Sequence, residues 1–203
     1  MAAALASCWI PSRERKSWVL DTGSIKFEPA IPNGPKLVGI DLSKNEVFKT
    51  IGFSPDVALK TSYLNDVRFD LTKGKDGVAY ITDSSLKGPN GLVSVDLPTG
   101  ESPRRLNDHP STKADKQFLP IIEGQPVMNR PPGGKPAHMT FGSDGIAISH
   151  DGRHLYYCPL SSRQLYRVRT DALTDEKAGD EEQARHQALS QDTASDYPVA
   201  RAG

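Results

Sequence analysis

An internal repeat narrows the folds open to this chain. Trp18-Val19-Leu20-Asp21-Thr22-Gly23 resembles Ala79-Tyr80-Ile81-Thr82-Asp83-Ser84-Ser85. After a short gap each is followed by a second run, Lys36-Leu37-Val38-Gly39-Ile40-Asp41-Leu42 and Gly91-Leu92-Val93-Ser94-Val95-Asp96-Leu97. A third, degenerate copy reads His154-Leu155-Tyr156-Tyr157-Cys158-Pro159-Leu160, then Arg163-Gln164-Leu165-Tyr166-Arg167-Val168. These runs are rich in Val, Ile, Leu and Tyr and bounded by Gly, Pro, Asn and Asp, which is the mark of strands.

Further strands precede the second and third copies, at Leu64 to Asp70 and Asp144 to Ser149. Lys75-Asp76-Gly77 and His150-Asp151-Gly152 supply hairpin turns, because Gly accepts the positive φ such turns need. Fourth strands fit at Glu46 to Ile51 and around Pro103 to Leu106. The unit is strand, Asp-Gly turn, strand, loop, strand, turn, strand, which describes one antiparallel blade of a β-propeller. Sandwiches and solenoids also use Asp-Gly turns, but recurrence of the four-strand unit favours the propeller. The copies are unevenly spaced, because a Pro-rich insertion, Asn107 to Met139, separates the second from the third. Such an insertion lies on one face of a repeat protein, where it shapes a binding site or serves as a solvated spacer.

Composition removes several function classes. With 25 Lys+Arg against 25 Asp+Glu the formal charge is zero, which argues against a general nucleic-acid or anionic-membrane binder. No stretch approaches the roughly 18 to 20 apolar residues of a membrane helix. Cys8 and Cys158 are too few for a disulfide scaffold and lack any CxxC zinc spacing. The start, MAAALASC, resembles a lipoprotein cleavage site at Leu5-Ala6-Ser7-Cys8 but lacks the basic and apolar regions of a working signal, so no intact signal peptide is expected.

Domain boundaries follow from these shifts. Residues 1–16 read as an N-terminal stub, 17–170 as a partial propeller, and 171–203 as a charged tail. Within the tail, Asp171 to Gln191 is Ala-rich with the weak apolar face of a short helix. The expected fold class is all-β: about three blades of a β-propeller with a short C-terminal helical tail. Three blades are too few to close a ring, so the chain is expected to be a fragment or to assemble, with self-association through open strand edges.

The strings WVLDTG, PKLVGIDL, SYLNDVRFD, AYITDSS, GLVSVDL, HPST, FGSDGIAIS and LYYCPLSSRQLYRV together resemble the major royal jelly protein/Yellow family, including its bacterial L-dopachrome tautomerase-related branch. The resemblance runs from about Trp18 to Thr170. It implies a six-bladed β-propeller of about twice this length, an extracellular or periplasmic location, and a small organic ligand of the aromatic amine or catechol type in the axial channel. If the chain is catalytic, the resemblance points to an isomerase of the dopachrome tautomerase kind. A more distant similarity to the gluconolactonase/regucalcin group raises a second reading, a calcium-dependent lactonase. Asn65-Asp66 match that group's Asn-Asp, and Asp144-Gly145 keep an oxygen ligand. Cys158-Pro159-Leu160-Ser161 replace its later Asp-Ser, and its N-terminal Glu has no counterpart. No cofactor and no metal site are therefore expected. An inactive propeller fragment is the third reading.

Asn65, Asp66 and Asp144 stand at the starts of inner strands, where side chains reach the channel mouth. Asp66 and Asp144 are the candidate proton shuttles; Asn65, Asp66, Asp144 and Asp83 are the candidate ligand contacts. The competing role for each is an Asx turn that binds local backbone N–H groups. For Asp83 that role is reinforced by its repeat equivalent, Asp21. Other motifs carry less. His150 and His154 flank a turn rather than one helix face, and His109 and His138 bracket the insertion. Ser84-Ser85-Leu86-Lys87 fits S-x-x-K only in a loop, and Gly133-Gly134-Lys135 lacks the upstream Gly of a phosphate loop. Tyr156, Tyr157 and Tyr166 are spaced as blade-packing residues.

Overall fold

The computed structural model describes residues 5–9, 15–175 and 187–190, the first and last of these segments by backbone alone. Three four-stranded antiparallel sheets account for most of it. The first contains β1 (Leu5–Trp9), β2 (Lys16–Asp21), β3 (Lys36–Asp41) and β4 (Glu46–Gly52), paired in that order. The second contains β5 (Leu64–Asp70), β6 (Val78–Asp83), β7 (Gly91–Asp96) and β8 (Arg104–Arg105). The insertion follows, with a 3-10 turn at Pro110–Thr112 and two small ribbons. In these, β9 (Ile121–Ile122) pairs β10 (Gln125–Pro126), and β11 (Met128–Asn129) pairs β12 (Ala137–His138). The third sheet contains β13 (Ser143–Ile148), β14 (His154–Pro159), β15 (Leu165–Arg169) and β16 (Gln187–Ser190), with a short helix α1 (Thr170–Thr174) after β15.

The first strands of the three sheets, β1, β5 and β13, lie side by side and are the inner strands of successive blades. The three blades of the repeat are thus in place. Blade 2 is the middle layer. Alternation along β6 sends Ala79 and Ile81 toward blade 1 and Val78 and Tyr80 toward blade 3, so all six residues of this strand are buried. Trp18, Leu20, Leu37 and Ile51 meet Val67, Val93 and Val95 in the first interblade core. Leu92 and Leu106 meet Ile146, Leu155, Tyr157 and Val168 in the second.

Two segments differ from the sequence expectation. The stub expected over 1–16 contains β1, which pairs with β2 in the register Leu5↔Asp21 to Trp9↔Ser17. Of the helix expected over Asp171 to Gln191, the described residues contain α1, while Gln187–Ser190 instead pairs with β15. Both strands satisfy backbone groups that β2 and β15 would otherwise leave unpaired at a sheet edge. The rest of the expected tail, 176–186 and 191–203, lies outside the described residues.

The insertion is anchored rather than loose. Thr112 Oγ1 lies 2.9 to 3.2 Å from the carbonyls of His109, Leu106 and Asn90, and Ser111 Oγ lies 2.7 Å from Tyr157 Oη. Both residues are buried. The HPST string thereby fastens the insertion to blades 2 and 3, with His109 Nδ1 accepting from Ser111 N at its N-cap.

Candidate functional site

Inner strands β5 and β13 begin at the same end of the blades, and their first residues meet there. Asn65 Nδ2 donates to Asp144 Oδ1 at 2.5 Å, and Ser84 Oγ lies 2.8 Å from the same oxygen. Thr82 Oγ1 donates to the Asp144 carbonyl at 3.0 Å and lies 3.3 Å from Asp66 N, so one hydroxyl ties the two inner strands together. Asn65, Asp66 and Asp144 are all half-buried. The three polar residues expected at the channel mouth are thus brought to one place.

They are not equivalent. Asp66 Oδ1 accepts from Val67 N at 3.0 Å and from Arg68 Nη1 at 2.8 Å, a local turn contact and a half-exposed ion pair. Asp144 Oδ1 accepts from Asn65 and Ser84, and Asp144 lines a cleft of about 320 Å³ with Cys158, Leu160 and Arg163. Asp83 lies in the core. Its Oδ1 accepts from Tyr63 N at 2.9 Å and Ser85 N at 3.1 Å, its Oδ2 accepts from Ser62 Oγ at 2.5 Å and pairs with Arg104 at 2.9 Å, and its exposure is 0%. Every lone pair that a ligand would need is already used, so Asp83 fixes the loop beneath the rim.

The aromatic part of the rim was not foreseen from the sequence. Phe27, in the loop after β2, packs at 4.7 Å from Tyr63 and 5.7 Å from Phe141, ring centre to ring centre. Phe27 is 51% exposed. Lys26 and Phe27 have φ of +54° and +61°, a left-handed conformation that costs a non-glycine residue and is found at functional sites more than elsewhere. A small cavity of about 70 Å³ opens beside Phe27, Tyr63 and Lys87. Burial, reinforced by the Asp144 charge, pushes the Tyr63 hydroxyl above its usual value, so it stays protonated and able to donate. Gly142, between Phe141 and β13, lies so close to Asn90 that a Cβ would fall 2.1 Å from it.

The donor set does not suit calcium. A hard cation needs several converging oxygens. Here Asp144 Oδ1 holds two hydrogen bonds and Asp66 faces a guanidinium. Among the described residues no three His, Cys, Asp or Glu side chains converge.

Stacked four-stranded blades whose inner strands open on a polar and aromatic rim define a β-propeller segment. Residues 13–196 match the Major royal jelly protein family, and the chain belongs to it. It is 26% identical over 167 residues to major royal jelly protein 7 of Apis mellifera, covering 80% of this chain and 34% of that protein. It is 28% identical over 161 residues to major royal jelly protein 1 of the same species, covering 76% of this chain and 34% of the relative. The chain thus spans about a third of the length of these curated relatives. Proteins of this family are typically secreted. Among solved structures, hydrazine synthase of Kuenenia stuttgartiensis aligns with a TM-score of 0.48 at 12% identity, over 84% of this chain and 42% of that one. The fold assignment rests on the blades themselves. No helix among the described residues is long and apolar enough to cross a membrane.

Proposed function

We propose that the rim formed by Asp144, Asn65, Tyr63, Phe27 and Phe141 binds a small aromatic amine or catechol-type molecule outside the cell or in the periplasm. The observation that carries this reading is the juxtaposition of a half-buried carboxylate with a partly exposed aromatic trio. A protonated amine gains from Asp144 and from the aromatic faces, while its ring stacks on Phe27. Asn65 holds the carboxylate in place, and the Tyr63 hydroxyl supplies a donor for a phenol or catechol oxygen. If the bound molecule is rearranged, the reaction is an isomerisation in which Asp144 moves the proton. Asp66, engaged by Arg68, serves as the second carboxylate only once that pair opens.

Calorimetric titration with tyramine, and with benzyl alcohol as the uncharged comparison, tests the reading. Tyramine is expected to bind and benzyl alcohol to bind at least about tenfold more weakly, a difference of about 1.4 kcal/mol. Asp144→Asn should remove the preference for the amine, whereas Phe27→Ala should weaken both. Equal affinity for the two compounds in the unsubstituted chain would contradict it.

A further inference from the structure

A second polar cleft, of about 230 Å³, opens in the seam between blade 2 and blade 3. Lys73, Ser94, Asp96, Glu101 and Thr174 supply its polar lining, the first four from blade 2 and the last from α1 of blade 3. β5 runs from the rim at Asn65 to Asp70, so the turn 71–77 that carries Lys73 lies at the far end of the blades from the rim. The cleft and the rim share no residue.

The turn after β5 holds Lys73 across the seam. Asp70 Oδ1 accepts from Thr72 N at 3.0 Å and from Thr72 Oγ1 at 2.6 Å, and Gly74 takes a φ of +64°, a conformation easy for glycine. Lys73 Nζ then donates to Thr170 Oγ1 at 2.6 Å. The Thr170 hydroxyl gives its own proton to Gly152 O at 2.7 Å, so toward Lys73 it acts as the acceptor. Lys73 is half-buried, and among the described residues no carboxylate lies within ion-pair distance of it. Burial is the largest influence on its amine and holds it below the usual lysine value; Asp171 and Asp70 oppose this, and Arg169 adds to it. A partly buried cation is costly without an anion beside it.

Two carboxylates in the same cleft have the converse need. Asp96 Oδ1 accepts from Thr99 N and Thr99 Oγ1, both at 2.9 Å, while its Oδ2 has no hydrogen bond among the described residues. That oxygen lies beside the turn, 3.9 Å from where a Cβ on Gly74 would fall. Glu101 is exposed, and its carboxylate makes no ion pair among the described residues. The charged groups that act on Lys73 are Asp171, Asp70 and Arg169, not these two. Ser94 Oγ donates to Leu173 O at 2.7 Å and keeps its lone pairs for a donor. The cleft therefore offers a cation and two carboxylates that do not pair with one another.

We infer that this cleft binds a small free amino acid as its zwitterion, the carboxylate on Lys73 and the ammonium on Asp96 and Glu101. A ligand with a single charge answers one need and leaves the other, whereas a zwitterion makes charge-assisted hydrogen bonds at both ends, the strong class of such bonds.

Calorimetric titration of the 203-residue chain with glycine and with β-alanine tests this. Acetate and propionate serve as comparisons that lack the ammonium, and methylamine and ethylamine as comparisons that lack the carboxylate. At least one of the two amino acids is expected to bind at least about tenfold more tightly than its single-charge analogues, as one hydrogen bond to a charged group allows. Lys73→Gln and Glu101→Gln should each weaken that amino acid by about tenfold. Glu101 is exposed, so its variant should keep its far-ultraviolet circular dichroism even if Lys73→Gln loosens the seam. Asp144→Asn, at the rim, should leave amino acid binding unchanged. Amino acids that bind no more tightly than their single-charge analogues, binding that survives both Lys73→Gln and Glu101→Gln, or binding lost in Asp144→Asn would each overturn the inference.

Discussion

Asp83 and Arg104 meet at 2.9 Å with side-chain exposures of 0% and 6%, so loss of either leaves the other's buried charge without its counter-ion. Asp83→Ala is expected to destabilise the chain by about 3 to 5 kcal/mol, the cost of breaking a buried pair from one side, read from the urea midpoint. The tyrosines act at the other end of the pH scale. Burial raises Tyr63, Tyr80, Tyr157 and Tyr166 above the ordinary value, which is about 10. A group that holds its proton more tightly when folded contributes stability present below its unfolded value and lost as pH rises through the folded one. The melting temperature should therefore fall as pH rises above about 10, while absorbance at 295 nm shows these four still protonated at that pH. At this scale the sequence was partly legible. Asn65, Asp66 and Asp144 could be placed because strand starts point to the channel mouth, and the pairing of Asp83 with Asp21 in the repeat hinted at a turn. Phe27 could not be placed, since a loop aromatic carries no period and its partners are 36 and 114 residues further on.

Among the elements, β6 is buried on both faces, and the strands flanking it were readable from their Val, Ile and Tyr content and the glycine turns. β1 and β16 were not. Their local composition suggests a leader remnant and a helix, and only the unpaired edges of β2 and β15, a tertiary fact, recruit them as strands. The HPST segment is the remaining element that fixes geometry. Thr112→Val keeps the volume but removes the hydroxyl that sits among three carbonyls. Each of these carbonyls keeps a backbone N–H donor, so a loss of about 0.5 to 1.5 kcal/mol is expected from the missing hydroxyl hydrogen bond, together with faster proteolytic cleavage of the insertion between Lys113 and Lys135. Equal cleavage rates in the two proteins would mean that the anchor does not hold that segment.

At the scale of the whole molecule, the proposed ligand site sits at the axial end of the blades, where β5, β13 and the Phe27 loop converge. Hydrogen exchange with and without saturating tyramine tests that placement most directly. Slower exchange is expected in 61–66, 82–86 and 141–145, with the outer strands β4 and β8 unchanged. Slowing confined to the outer strands, or no change anywhere at a saturating concentration, would contradict the account.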